Sequence, residues 1–341
     1  MRDWLGAPAR AALALALLMA FPVAAQAGGL HLQPGLFSDP QFNPTITFGA
    51  DISHISGAAH EYVYQNAGTY KLSELDWQIN NVTMLNANIG FRPSPWLAFD
   101  LSAGTKLTGS SHMDDYDWVW FGPDNWDHWS DSPDTSIKTA NRVDFTTTLS
   151  LYRHPAFTVD ALAGLRWSDW EFEASGGTFI YSSDPSNFRD QTGTIPGGPG
   201  ITYKQELFAP YLGLGLNANV GKLGINASLV GSDWVTANGY DQHHLRFDIS
   251  PTGGLFHDSM HNGAFYDIKL GGSYKYSEQI SFKIGWERED YLLVKGSEAI
   301  SAIGTGVNGS GGGPAFVFQG PASGLDNLTD RYTAGTTYKM P

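Results

Sequence analysis

The chain has 341 residues and no cysteine, so no disulfide can stabilise it. Basic residues are also scarce, since 20 Lys and Arg stand against 34 Asp and Glu, which gives a net charge of −14. This balance argues against nucleic acid as a partner and is compatible with cationic ligands or peptides. Beyond the N-terminal segment, no apolar run approaches the roughly 18 to 20 residues that a membrane-spanning helix needs.

The N-terminal segment, residues 1–27, is predicted to be a secretory signal peptide. Arg2 and Arg10 precede an apolar run from Ala11 to Ala25, and Ala25-Gln26-Ala27 has the small-x-small pattern of a signal-peptidase site. The mature chain is therefore predicted to be residues 28–341. Exported domains often rely on disulfides, so a chain without any must have another large source of stability.

Alternation of apolar and polar residues with a period of two recurs along the mature chain. Leu97, Phe99 and Leu101 fall on one face of a segment whose other face carries Asp100 and Ser102. Such alternation predicts β-strands with one apolar face. The same pattern is found in residues 143–151, 157–167, 212–220, 223–229 and 280–286.

The turns between these strands fall into two sizes that alternate. Short turns are predicted at residues 92–95, 153–155, 221–222 and 277–278, and long Gly/Asp/Ser-rich ones near 109–134, 184–198, 240–257 and 296–316. This favours an all-β fold, a ten-stranded antiparallel transmembrane β-barrel over residues 28–341, with short periplasmic turns and long extracellular loops. A soluble β-sandwich would instead have polar outer faces and loops not sorted by length. Aromatic residues near strand ends are predicted to form interfacial girdles: Trp96, Trp167, Trp170, Tyr211, Tyr274 and Tyr276.

One segment, "MDDYDWVWFGPDNWDHW" at residues 113–129, gathers five aspartates and no Lys or Arg. Asp115 and Asp117 stand at i and i+2, so in extended backbone they point to the same side. Two such close carboxylates do not ionise together easily, and one is expected to keep a proton and act as a donor or acid. A solvated pair or part of a cation site is the alternative. The remaining aspartates are expected to be rim charges: Asp114, Asp124 and Asp127.

A second pair with the same spacing lies in "GYDQHHLR", where Asp241 and His243 share one face of a strand end. A carboxylate beside an imidazole fixes the tautomer and stabilises the imidazolium, which makes the histidine a usable general base for water. His244 points the other way and is the natural control. The alternative is a surface ion pair.

Other catalytic chemistries have less support in the sequence. A nucleophilic enzyme needs a Ser or Cys beside its base, but Cys is absent and no Gly-x-Ser-x-Gly occurs. Four histidines are near in sequence, but their spacing matches no compact ligand motif, so no metal site is predicted. These are His243, His244, His257 and His261.

Six motifs occur in the order and spacing of a known family: "SELDWQINN", "MDDYDW", "PDTS…AN", "GGTFIYSSDPSNFRD", "YKQ" and "DQHH". The chain resembles the omptins, outer-membrane proteases of Gram-negative bacteria with ten-stranded barrels, from about Ile46 to Lys339. The resemblance implies an endopeptidase whose catalytic pairs face each other across an external groove. Asp241 would orient His243, which activates a water, while Asp115 and Asp117 would hold that water and stabilise the oxyanion through a shared proton.

The chain also departs from the family at substrate and lipid positions. Omptins that cleave between basic residues hold the P1 side chain with acidic groups; one of these matches Glu61, but the other falls on Gly239. Strict preference for Arg or Lys at P1 is therefore in question. The family depends on lipopolysaccharide gripped by arginines, and those positions fall on Asp169 and Glu206. Activation by lipopolysaccharide must then use other cations or be absent.

The sequence thus predicts an endopeptidase in the bacterial outer membrane with its active site on the extracellular side. Its partners would be outer-membrane lipid and exposed peptides or proteins, including cationic ones that the acidic rim would attract. The competing hypothesis is a non-catalytic barrel that acts as an adhesin or a small pore.

Overall fold

The computed structural model describes residues 42–303 and 316–340, so the predicted signal peptide at residues 1–27 lies outside the described residues. Ten antiparallel strands close into one barrel in which each strand pairs with its neighbours in sequence and β1 also pairs with β10. The strands are β1 (Thr45–Gln65), β2 (Tyr70–Ser94), β3 (Leu97–Asp117), β4 (His128–His154), β5 (Phe157–Tyr181), β6 (Gln191–Val220), β7 (Leu223–His243), β8 (Gly254–Lys275), β9 (Ile280–Ala302) and β10 (Phe316–Lys339). The predicted ten-stranded barrel is confirmed.

The strands are far longer than a bilayer requires. They have 21 to 30 residues, whereas about 9 to 11 residues of tilted strand cross the hydrocarbon region. We call the part next to the short turns at residues 95–96, 155–156, 221–222 and 276–279 the lower half, and the remainder the upper half. Within residues 42–303 and 316–340, no helix has the length and apolarity needed to cross a membrane.

The outer surface of the lower half is apolar, as the period-two pattern predicts. Large apolar side chains are exposed on it from every strand, among them Phe48, Ile89, Leu101, Leu149, Leu165, Leu216, Ile225, Leu270, Ile284 and Tyr332. The girdle prediction holds for Trp167, Tyr274 and Tyr276, which are exposed. It is wrong for Trp170 and Tyr211, which are buried because their side chains point into the barrel.

Charged side chains fill the lumen of the lower half. This lumen charge network consists of Arg142, Asp144, Arg166, Asp267, Glu287 and Glu289. The Arg166 guanidinium is fully buried, and its Nη2 lies 2.6 Å from carboxylate oxygens of both Asp144 and Asp267. A barrel of this size is closed by its own side chains, and here paired charges close it.

An aromatic layer lies above this network and below the top of the barrel. The Trp77 ring packs against the rings of Phe172 and Tyr203. Its centroid lies 5.4 Å from that of Phe172 and 5.5 Å from that of Tyr203, and all three side chains are fully buried. Tyr203 pairs in register with Asp241, and Trp77 pairs with Met113, two residues before Asp115, so the layer adjoins the predicted site.

The predicted long loops are shorter in the structure than in the sequence-based assignment. Much of residues 109–134 and 240–257 is strand, because β3 continues to Asp117 and β7 to His243. The outer side of these upper segments is not apolar as it is in the lower half, and apolar side chains such as Met113 are instead buried inside, so the alternation that marks the lower half does not continue there. Alternation of short and long connections is also not strict, since residues 66–69 join β1 to β2 at the upper end in four residues.

Candidate active site

The two predicted catalytic pairs end two strands on opposite walls of the barrel. Asp115 and Asp117 lie at the end of β3, and Asp241 and His243 lie at the end of β7. Three strands separate β3 from β7 on one side and five on the other. Asp115 and His243 line the same open groove at the upper end. The closed barrel therefore brings together residues that are more than a hundred positions apart in sequence.

The Asp241–His243 pair has the geometry of an oriented base. Nε2 of His243 lies 2.5 Å from Oδ2 of Asp241, which is buried. With Nε2–H donated to the carboxylate, Nδ1 is left as the proton acceptor. Burial lowers the pKa of His243, but the charge and hydrogen bond of Asp241 outweigh it, and the pKa is raised above its ordinary value. The Phe256 ring packs edge-on against the imidazole at 5.2 Å.

Asp115 and Asp117 lie on the facing wall, half-buried, opposite Ser73 and Leu75 of β2. The Ser73 hydroxyl donates a hydrogen bond to Asp115 at 3.3 Å. Burial and the neighbouring charge of Asp117 raise the pKa of Asp115 well above its ordinary value. Burial also raises the pKa of Asp117. The raised pKa values of both carboxyl groups favour retention of a proton on this wall.

His244 is turned away from the groove, as predicted. Its Nε2 lies 2.9 Å from the Thr202 hydroxyl on the neighbouring strand β6. The two adjacent histidines therefore differ in position and partner, and only His243 meets a carboxylate of the groove.

Glu61 lies on β1 and is 2% exposed. Its Oε2 has no hydrogen-bond partner among the described residues. Burial and the nearby charge of Asp241 raise its pKa well above the ordinary value. The predicted substrate-binding residue is thus a buried carboxyl near the predicted Asp241–His243 pair.

The sequence analysis missed two further buried carboxyl groups, those of Asp258 on β8 and Glu298 on β9. Burial and the charge of Glu298 raise the pKa of Asp258 well above its ordinary value. Burial and the charge of Asp241 raise the pKa of Glu298 to about 7. Neither residue belongs to a spaced pair, so only the strand register could have revealed them.

Asp127 is not the rim charge that the sequence suggested. It is fully buried, and its carboxylate accepts hydrogen bonds from the backbone N–H groups of Val119, Trp120 and Phe121. Burial opposes its ionisation, but these donors and His128 outweigh it, and the pKa of Asp127 is lowered. Asp124 is exposed and remains consistent with a rim charge. Asp127 therefore holds the β3–β4 loop in shape.

We expect Asp127→Ala to loosen residues 118–127 because three backbone N–H groups lose their acceptor. A hydrogen bond to a charged group contributes roughly 1.5–3 kcal/mol. Hydrogen exchange should become faster at Val119, Trp120 and Phe121, while Asp124→Ala, at an exposed position of the same loop, should leave it unchanged. Equal exchange rates in both variants would contradict this role.

Two groups of three side chains among the described residues lie close enough together to hold a metal ion. One is Asp267, Glu287 and Glu289, which Arg142 and Arg166 already neutralise. The other is His112, Asp114 and Asp131 on β3 and β4, with His112 Nε2 2.7 Å from Asp131. Neither group includes a residue of the two predicted catalytic pairs.

The positions matched to the family's lipid-binding arginines carry acidic side chains directly opposite each other. Asp169 on β5 pairs in register with Glu206 on β6. Glu206 forms an ion pair with Lys204 at 2.6 Å, and Asp169 accepts a hydrogen bond from Thr139. Lys204, a cation at this site, is thus already engaged by a carboxylate.

Comparison with known proteins identifies the family. The sequence model of the omptin family matches residues 43–340. A plasminogen activator from Yersinia pestis is 28% identical over 310 residues, which cover 88% of this chain and 92% of that protein. The outer membrane protease OmpP of Escherichia coli K12 is 29% identical over 252 residues, covering 71% and 78%. The crystal structure of outer membrane protease OmpT from Escherichia coli has a TM-score of 0.79 at 24% identity, covering 89% of this chain and 100% of that one, which supports the fold. The chain therefore belongs to the omptin family and is an omptin-type endopeptidase of the bacterial outer membrane.

Proposed function

We propose that the chain cleaves peptide bonds with a water molecule activated by His243 and oriented across the groove by Asp115 and Asp117. The observation that carries the proposal is the 2.5 Å contact between His243 and the buried Asp241, on the wall opposite the aspartate pair. An imidazole held by a carboxylate can take a proton from water at neutral pH.

The reaction would proceed in two steps. His243 Nδ1 takes a proton from water as the oxygen attacks the scissile carbonyl carbon, and the carbonyl oxygen becomes an oxyanion. The proton shared by Asp115 and Asp117 stabilises that charge through a hydrogen bond. The C–N bond then breaks, and the protonated His243 returns its proton to the departing amine. Asp241 keeps its charge throughout and stabilises the imidazolium.

The substrates would be exposed peptides or proteins that reach the groove from outside the cell. The groove opens at the upper end, the end away from the short turns, and the family's barrels carry their long loops on the extracellular side. The net charge of −14 favours cationic substrates.

Asp169 and Glu206 stand at the positions matched to the family's lipid-binding arginines, so no matched arginine is available for lipopolysaccharide. We therefore expect weak or no dependence on this lipid.

The test is cleavage by the purified, refolded chain of a mixed peptide library, with and without lipopolysaccharide. We expect internal cuts in peptides at neutral pH, detected by mass spectrometry. Binding to surfaces without any cleavage would favour an adhesin. Ion conduction in a bilayer would favour a pore, which the charges filling the lumen around Arg166 oppose.

The rate should fall in acid, because only the neutral imidazole is a base. The pKa of His243 is raised by Asp241, so kcat/KM should drop tenfold per pH unit below a midpoint higher than the ordinary value of about 6.5. Asp241→Asn removes the charge and leaves the effect of burial, so the midpoint should move to lower pH while the maximal rate also falls. A pH profile of kcat/KM for both proteins checks this, and an unmoved midpoint would contradict the pairing.

A further inference from the structure

We infer that His112, Asp114 and Asp131 form a binding site for a divalent transition-metal ion of the Zn²⁺ class. We call these residues the outer triad, because they lie on the outside of the upper half of the barrel. The ion would join β3 to β4 on the side of the wall that faces away from the groove. It takes no part in peptide cleavage, so the inference is independent of the proposed function.

Strand alternation places the outer triad on the outside of the barrel. On β3, His112 and Asp114 stand on either side of Met113, which is buried in the interior. On β4, Asp131 follows Ser130, which lines the groove. Neighbouring residues of a strand point to opposite faces, so all three triad side chains point outward. They are 20 to 31% exposed, which leaves them accessible to an ion from solution.

The ligand atoms of the outer triad already converge. Nε2 of His112 lies 2.7 Å from Oδ1 of Asp131 and 3.6 Å from Oδ2 of Asp114. One ligand atom from each residue lies within 4.8 Å of the other two. Zn²⁺ binds nitrogen and oxygen ligands at roughly 2.0–2.2 Å in a tetrahedron, so its ligands are about 3.3–3.5 Å apart. Small side-chain rotations would reach this geometry and leave the fourth position to water.

The carboxylates of the outer triad oppose each other without a basic side chain between them. Asp114 pairs in register with Asp131 on one side and with Asp76 on the other, and directly opposed like charges are destabilising. In residues 42–303 and 316–340, the ion pairs of Asp114 and Asp131 are with His112 alone. Oδ1 of Asp131 is buried and accepts no hydrogen bond from the described residues. A divalent cation would neutralise both carboxylates and satisfy this oxygen.

A residue outside the triad orients one of its carboxylates. Nε1–H of Trp129 on β4 donates a hydrogen bond to Oδ1 of Asp114 at 3.0 Å. The other oxygen, Oδ2, is the one that faces His112. Metal-binding carboxylates are commonly held in this way by an outer partner, which fixes the direction of the ligand oxygen.

The chemistry of the three ligands selects the class of ion. An imidazole nitrogen suits Zn²⁺, Ni²⁺ and Cu²⁺, whereas Ca²⁺ and Mg²⁺ are bound by oxygen ligands. Two carboxylates supply the charge that balances a divalent ion. The outer triad therefore favours a transition metal over the alkaline-earth ions.

The ion would strengthen a short ladder that carries the proposed aspartate pair. The pairing of β3 with β4 shifts register after Ser111, and five residue pairs follow above the shift, the last one at Asp117. A metal bridge between Asp114 and Asp131 would fasten the second of these five pairs. The ends of the two strands would then separate less readily.

The experiment is a titration of the refolded, chelator-treated chain with ZnCl₂, followed by isothermal titration calorimetry, beside a titration with CaCl₂. We expect one tight site for Zn²⁺ and no matching site for Ca²⁺. His112→Ala and Asp131→Asn should each raise the Kd for Zn²⁺ by more than about 100-fold, because each removes a ligand. Trp129→Phe should raise it by about 10- to 100-fold, the usual effect of losing an outer partner.

Two other histidine variants are matched controls. His244→Ala removes an imidazole that bonds Thr202 away from the outer triad, and His243→Ala removes the one that lies in the groove beside Asp241. Both should keep the Kd of the wild type. The heat-dependent shift on a gel shows that each variant has folded.

Hydrogen exchange provides a second measurement that does not depend on the heat of binding. Zn²⁺ should slow exchange in residues 113–117 and 128–132 of the wild type and leave it unchanged in His112→Ala. The same slowing in both proteins would contradict a bridge at the outer triad.

The other outcomes decide the inference without touching the proposed function. A wild-type protein that does not bind Zn²⁺ would overturn it, and so would an unchanged Kd in His112→Ala and Asp131→Asn. Loss of binding in His243→Ala alone would place the ion in the groove and would also overturn it. Equal affinity for Ca²⁺ would overturn the assigned class of ion.

Discussion

His243→Ala should reduce kcat/KM for a peptide substrate by about 10²- to 10⁴-fold, the usual contribution of a general base. The variant removes the acceptor that takes the proton from water, while Asp241 stays buried and loses its partner at 2.5 Å. The measurement is the initial rate of cleavage of a fluorogenic peptide by the refolded variant, at a pH where the wild type is fully active.

His244→Ala is the matched control because it removes the same side chain from the adjacent residue. Its imidazole bonds Thr202 outside the groove, so the rate should stay within a factor of two or so of the wild type. Folding of both variants is checked by their heat-dependent shift on a gel. Equal rates for the two variants would show that the wrong histidine has been assigned as the base.

Arg166→Met should lower the free energy of unfolding by about 3–5 kcal/mol, the typical result of removing one partner from a buried charge network. The Arg166 guanidinium is fully buried between Asp144 and Asp267 at 2.6 Å from each, and it also contacts Glu289. Its removal leaves these carboxylates in the lumen with less positive charge around them. A urea titration in detergent micelles, followed by tryptophan fluorescence, gives the free energy.

Arg288→Met is the control for this prediction. Arg288 lies directly before Glu289 in sequence, so it points outward, where it pairs with Asp330 at 3.4 Å and stays 40% exposed. Exposed pairs contribute about 0–1 kcal/mol, so this variant should be nearly as stable as the wild type. A similar loss in both variants would mean that the lumen charge network does not hold the barrel together.

The lower half of the barrel could be predicted from sequence because its outer and inner surfaces differ in polarity. Lipid outside and a polar lumen inside impose strict alternation, visible in Leu97, Phe99 and Leu101. Above the membrane this contrast is lost, and the ends of β3 and β7 were predicted as loops although they are paired strands. Trp170 was assigned to a girdle from its position along the strand alone, although its odd offset from the outward-facing Trp167 places it on the inner face.

The candidate site likewise has some residues that could be predicted from the sequence and others that could not. The pairs Asp115/Asp117 and Asp241/His243 carry their geometry in the sequence, since i and i+2 share a face of any extended strand. Asp258 and Glu298 depend on which residue of β8 and β9 stands opposite Gly239, and that register is set by the whole barrel. Asp127 looked like a solvated charge because its donors are backbone N–H groups, which no side-chain pattern reveals.

The placement of the proposed catalytic pairs on hydrogen-bonded strands has a consequence for how this protein can change. Asp117 and His243 are the last residues of β3 and β7, and the connections 118–127, 182–190 and 244–253 begin beyond the catalytic pairs. Insertions or replacements in those connections leave the distance across the groove unaltered. New target proteins can therefore be selected by exchanging loops while the same chemistry is inherited intact.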